Sequence, residues 1–128
     1  MTKLLVCGSR SIKDATWVSE QISAFVAEKG FALSDLTLIE GGAKGVDAMG
    51  KAWAIANGVP VGTYKADWAR YGRGAGHRRN ADMVAAANCV LILWNGISTG
   101  TKNDIDLCKK NYKNYKLVKN KNQGLSHR

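Results

Sequence analysis

Apolar positions along the chain follow two rhythms. Short unbroken runs, Leu4 to Cys7, Leu36 to Ile39 and Cys89 to Trp94, read as strands buried on both faces. Val59 to Tyr64 makes a further strand, with Pro60 near its start where a missing donor is tolerated, and Tyr115 to Val118 makes a poorer fifth. Helical spacing fills the gaps. Val18, Ile22, Phe25 and Val26 share one face, with Asp14 as cap and Gly30 as stop. Val46, Met49, Trp53 and Ala56 repeat the spacing as far as Gly58; Ala81, Met83, Val84 and Ala87 do so again, and a last helix is predicted from about Thr101 to Lys110. Strands alternating with helices predict a single three-layer α/β domain with a mainly parallel five-stranded sheet. The expected order is 3-2-1-4-5, with Cys89 to Trp94 at its centre. Every strand-to-helix turn then emerges at the carboxyl edge, where open α/β sheets bind ligands at the switch in strand order.

Composition narrows the class. At 128 residues the chain reads as one domain over residues 1–118, followed by a basic, frayed tail over 119–128. No run of about 20 apolar residues suggests a membrane span, and MTKLLVCGSR reads as the start of a strand, not a signal peptide, so a cytoplasmic protein is expected. Cys7, Cys89 and Cys108 stand far apart in apolar segments and read as core residues, so neither a disulfide nor a metal site is indicated. The formal charge is +9, and no acid follows Asp106. Lysines spread from Lys109 to Lys121 imply weak, salt-sensitive attraction to polyanions through the C-terminal end and no specificity.

The candidate chemistry lies on one rim. Ala66 to Asn80 carries three glycines and four arginines with a single acid, Asp67. Its glycines predict a loop, with a helix opening between His77 and Asn80. Arg73, His77, Arg78, Arg79 and Asn80 are candidate anion ligands there, because a helix N-terminus adds free N–H groups and a positive dipole end. His77 has no partner at metal-ligand spacing. Gly8, Ser9 and Arg10 offer a close backbone approach, a hydroxyl donor and a bidentate clamp, or simply a turn with a surface arginine. Gly41, Gly42, Ala43, Lys44 and Gly45 enter a helix as a phosphate-cradling turn would, although neither dinucleotide fingerprint nor Walker A fits. Asp47, in the first turn of that helix, either complements the dipole or accepts from a sugar hydroxyl. Ser98, Thr99, Gly100 and Thr101 form a second phosphate cup. Asp104, one turn further, would be repelled by a phosphate and therefore suits a ribose hydroxyl. Trp68 and Tyr71 either stack on a base or pack beneath the basic stretch.

These motifs, in this order, resemble the YspA-like family of the SLOG superfamily of Rossmann-like domains. The likeness runs from about Leu4 to Lys110 and rests on Gly8-Ser9-Arg10, the 41–47 motif, Ala66-Asp67-Trp68 with Tyr71-Gly72, Ala75-Gly76, Arg79-Asn80 with Met83, and Gly100-Thr101. The superfamily includes LOG-type phosphoribohydrolases and DprA-type single-strand DNA binders, so the resemblance implies a nucleotide-derived ligand. The LOG motif Pro-Gly-Gly-x-Gly-Thr-x-x-Glu is matched by Gly100-Thr101, with Asp104, one methylene shorter, in place of the glutamate. Arg79 is the nearest analogue of the LOG catalytic arginine. Asp104 and Arg79 are thus the catalytic candidates if the chain is a nucleotide N-glycosidase. The leading expectation is instead a binder of a nucleotide or ADP-ribose-like small molecule, without cofactor. A single-strand nucleic-acid binder stands third, and self-association is left open.

Overall fold

A computed structural model of the chain describes residues 1–120. The apolar runs form β1 (Thr2–Gly8), β2 (Leu36–Glu40), β3 (Val61–Thr63), β4 (Cys89–Trp94) and β5 (Asn114–Lys119). All pair in parallel, in the order β3-β2-β1-β4-β5. The predicted order holds, but β1 and not β4 occupies the centre. β4 is wholly apolar because helices cover both of its faces, whereas its outer neighbour β5 is half-polar and mostly exposed.

Five helices complete the layers: α1 (Ala15–Lys29), α2 (Val46–Ala56), α3 (Trp68–Tyr71), α4 (Ala75–Ala86) and α5 (Thr99–Lys110). Successive strand residues point to opposite faces. Leu4 and Val6 of β1 therefore pack with Val18, Ile22, Phe25 and Trp53 from α1 and α2. Leu5 and Cys7 pack with Met83, Val84, Ile105 and Cys108 from α4 and α5. The chain thus changes faces between β1 and β4, which opens the carboxyl edge at that junction. Asp14 caps α1 by accepting from the Trp17 N–H at 3.0 Å, and Gly30 ends it at φ 68°. Among the described residues no helix is long and apolar enough to cross a membrane.

Two expectations change. The stretch from Ala66 to Asn80 is largely helical. Asp67 caps α3, Gly72 turns the chain at φ 55°, and α4 begins at Ala75, before His77. Burial of Ala75, Met83 and Val84 overrides the weak helix propensity of the glycines. The C-terminal lysines are also less free than a solvated tail implies. Lys113 Nζ donates to the carbonyls of Ala85 and Ala87, and Lys116 pairs with Glu28 at 2.7 Å. Lys119 pairs with Trp94, and the Asn120 N–H donates to the Trp94 carbonyl at 2.8 Å. The rest of the predicted tail, residues 121–128, lies outside the described residues.

Candidate functional site

Three loops meet at the β1/β4 junction, and Ser9 ties them together. Only 1% exposed, Ser9 accepts from the Asn95 N–H at 3.0 Å and shares its hydroxyl with Ser98 Oγ at 2.9 Å. Ser98 Oγ donates onward to Thr101 Oγ1 at 2.7 Å. The Ser9 carbonyl accepts from the N–H groups of Ile12 and Val46. Ser9 therefore clamps the loops together from behind the wall. Gly45 belongs to the same clamp: at φ 73°, a side chain there would begin 2.6 Å from the carbonyl oxygens of Ser9 and Arg10.

A cleft of about 620 Å³ opens above these loops. It is lined by Gly8, Arg10, Ala43, Asp47, Arg79, Asn80, Ser98, Thr99, Gly100, Thr101 and Asp104, all expected at the site. Cys7, Ser11, Met83, Asn95 and Ile97 line it as well. Gly41 and Gly42 face an adjoining cleft of about 320 Å³, which shares Arg10, Ala43 and Arg79 with the first. Lys44 is exposed and lines neither cleft. Arg73, in the turn before α4, and His77 and Arg78 on it are also exposed and line neither cleft. On α4, residues three and four apart share a face, so Gly76, Arg79, Asn80 and Met83 turn toward the sheet while His77 and Arg78 turn away. Arg78 stacks 4.3 Å from the Tyr71 ring centroid, which Arg70 also contacts at 5.2 Å.

At the N-terminus of α5, the Asn95 side chain accepts from the N–H groups of Ile97 and Ser98, both at 2.9 Å. The next three N–H groups, of Thr99, Gly100 and Thr101, have no acceptor among the described residues. They are the unpaired first-turn donors of a helix, and here they border the cleft. Across from them, Arg79 Nη1 donates to the Gly41 carbonyl and Nε to Asn80 Oδ1 at 2.8 Å. Gly41 leaves room for this contact, since a side chain there would start 2.9 Å from Arg79 Nη1 and 3.0 Å from Asp47 Oδ2 and would displace the arginine. Asp47 Oδ2 accepts from the N–H groups of Gly41 and Ala43 at 3.2 and 3.3 Å, so it shapes the loop that it helps to line. Glu40 went unnoticed in the sequence. Buried at 1% exposure, it accepts from the Gly42 N–H at 2.6 Å and from the Thr63 hydroxyl, holding Gly42 at φ 75°. An acid ending a buried strand and running into two glycines was the available signal.

With this geometry in place, similarity to known proteins becomes informative. Residues 2–71 match the YspA, cpYpsA-related SLOG family. Gene 61 protein of Mycobacterium phage D29 is 32% identical over 108 residues, covering 80% of this chain and 84% of that protein. The chain belongs to the YspA, cpYpsA-related SLOG family. Its fold also resembles DNA processing protein A (DprA) from Streptococcus pneumoniae, at a TM-score of 0.76 and 17% identity. That likeness covers 99% of this chain but 54% of that one, so the chain spans about half the length of that DprA. DprA from Helicobacter pylori, described for its single-stranded DNA binding mode, gives a TM-score of 0.63 at 15% identity over 98% of this chain and 72% of its own. At such identities the likeness concerns the fold. The family match ends at α3, so Arg79 and Asp104 lie beyond it.

In this SLOG chain the cleft floor holds carboxyls that resist ionisation. Burial pushes Asp104 up to about 7; a hydrogen bond with Cys7 and the charge of Arg79 oppose the rise, while Asp47 adds to it. Burial likewise lifts Asp47 to about 6, against the backbone hydrogen bond from Ala43 and with the charge of Glu40 adding to the rise. The Cys7 thiol is driven well above its usual range by burial and by Asp104. Asp104 Oδ1 is buried with no hydrogen-bond partner among the described residues. Two shifted carboxyls facing unpaired helix donors mark a functional-site candidate.

Proposed function

We propose that the main cleft binds a nucleotide-derived small molecule, a nucleoside phosphate or ADP-ribose-like species, for sensing, sequestration or processing. The observation that carries this reading is the unpartnered Asp104 Oδ1 in the cleft wall, one turn from the open N-terminus of α5. A buried acceptor without a donor is costly unless something supplies one. A ribose hydroxyl supplies it, and the three open N–H groups with the helix dipole receive the attached phosphate. Arg79, on the opposite wall, adds a guanidinium with no carboxylate at ion-pair distance among the described residues. Replacing Arg79 by alanine is therefore expected to weaken ADP-ribose binding by about 1.5–3 kcal/mol, the range for a charge-assisted hydrogen bond. Arg73→Ala, outside both clefts, should leave it unchanged. Equal calorimetric affinities for wild type and Arg79→Ala would remove this arginine from the site.

Hydrolysis of an N-glycosidic bond is the second reading, favoured by an Asp104 carboxyl that exchanges its proton near pH 7. Two features stand against rapid turnover. Asp104 is a methylene shorter than the glutamate of the LOG motif, and Arg79 is already bonded to the Gly41 carbonyl. Single-strand nucleic-acid binding rests on the net charge of +9 and on the fold shared with DprA. Against it, Lys113 and Lys116, two of the C-terminal lysines, are engaged within the fold.

A further inference from the structure

The smaller cleft beside the main one has no role in the reading above, and its walls have a chemistry of their own. Its floor is the bare backbone of Gly41 and Gly42. One side is the indole of Trp68, which stands 60% exposed at the start of α3. Its Cη2 edge rests against α4, 3.6 Å from where a side chain at Gly76 would start. The stem of Lys65 lies beside Gly42, 3.9 Å from the corresponding point there. Tyr71, the other aromatic residue of this region, already carries Arg70 and Arg78 against its ring. The two clefts meet at Arg10 and Arg79, neither of which pairs with a carboxylate among the described residues.

From this arrangement we infer that the smaller cleft is a second subsite that takes a nucleobase on the face of Trp68. The ligand is then a nucleoside diphosphate joined to a sugar, and not a mononucleotide. The inference rests on the proposed nucleotide site and extends it. Each compartment excludes the wrong part of such a molecule. A second phosphate deep in the main cleft would face Asp47 and Asp104, so the neutral sugar belongs there and its phosphate on α5. A flat ring fits over two residues without side chains and against an exposed indole, where stacking tolerates any base because every base has a π-face. The anionic bridge between the halves falls at the junction, where two guanidinium groups without a carboxylate partner among the described residues can neutralise it. The Gly-Gly floor is also protected from substitution. A side chain at Gly41 would meet Arg79, and one at Gly42 would need φ near 75° and would start 3.3 Å from Thr63 Cγ2.

The test compares ribose 5-phosphate, which fills only the main cleft, with ADP-ribose, which reaches both, by calorimetry on wild type and Trp68→Ala. Wild type is expected to bind ADP-ribose at least about tenfold tighter than ribose 5-phosphate, the stacking contribution of one base. Trp68→Ala should cut that ratio by about tenfold, the stacking share, while holding ribose 5-phosphate within about twofold, as for an exposed residue outside the main cleft. If wild type binds ribose 5-phosphate but gains nothing from ADP-ribose, or if the gain survives Trp68→Ala undiminished, the second subsite is wrong and the main site stands. If neither ligand binds, the nucleotide reading itself fails and takes the subsite with it. A short single-stranded oligonucleotide that binds more tightly than ADP-ribose, and depends on Trp68, overturns the small-molecule class.

Discussion

Asp104→Asn is expected to leave stability nearly unchanged at pH 3 and to raise it by about 4 kcal/mol at pH 8. The sign follows from burial. In the unfolded chain the carboxyl titrates at its ordinary value near 3.8, but in the folded protein it titrates at about 7. Folded protein therefore binds more protons than unfolded protein between those values, and stability falls as pH rises through them. Below the interval the acid is neutral in both states and its amide analogue differs little. Above it, the wild type holds a poorly solvated charge that asparagine lacks. Asp47, lifted to about 6, adds a fall of the same sign that persists in the variant. Urea unfolding at the two pH values measures the difference, and a variant less stable than wild type at pH 8 would show that the ionised form is the one stabilised by folding. Asparagine also still accepts from a sugar hydroxyl, so nucleotide affinity should be kept or improved. Chromatography of AMP incubations should show slow or no base release by wild type. Rapid release that disappears in Asp104→Asn would instead promote the hydrolase, because a neutral amide stabilises developing positive charge on the ribose poorly.

Gly8→Ala should destabilise the fold by at least about 3 kcal/mol, since overpacking against backbone has no rotamer by which to escape. A Cβ there would sit 2.0 Å from the Leu93 carbonyl oxygen and 2.8 Å from Val46 Cγ2. Gly8 pairs with Leu93 where β1 and β4 separate, and the Leu93 carbonyl accepts the Ser9 N–H at 3.1 Å. Pushing the strands apart there also moves Ser9, and with it the three loops that form the cleft. Gly74→Ala is the contrasting case. Nothing lies within 4 Å of a side chain there, and its backbone at φ −81° and ψ −4° suits any residue. That change should be neutral or stabilising by a few tenths of a kcal/mol, through the unfolded state. Denaturation midpoints that shift equally for both glycines would refute the packing account of Gly8.

The contrast between these glycines shows what the sequence makes legible. Runs such as Leu-Leu-Val-Cys and Cys-Val-Leu-Ile-Leu-Trp reveal doubly covered parallel strands, and the turns after them reveal the rim. Strand order follows from the crossover rules, and eight of the eleven expected residues that line the main cleft come from strand ends, turns and helix starts; Arg79, Asn80 and Asp104 sit one turn into their helices. Composition does not show which glycines are loops. Gly74 and Gly76 are taken into helical turns because Ala75, Met83 and Val84 bury themselves, a tertiary effect absent from local propensity. Nor does a basic, glycine-rich stretch show which side chains turn inward, so His77 and Arg78 read like Arg79 until α4 fixes their directions, and Arg73 sits in the exposed turn before that helix. Ser9 and Glu40 were obscured for a similar reason. A hydroxyl or carboxylate beside a glycine looks like a ligand group or a surface residue, and only the backbone donors it meets identify it as support.

The central claim is that a nucleotide-derived molecule sits on the open N-terminus of α5 against Asp104. Amide chemical shifts followed by NMR during titration with ADP-ribose address it most directly. The largest changes are expected at Thr99, Gly100 and Thr101, with smaller ones at Gly41 to Ala43, and none on β5. Saturating ligand that leaves the three α5 amides unmoved, or that shifts β5 instead, would contradict the claim.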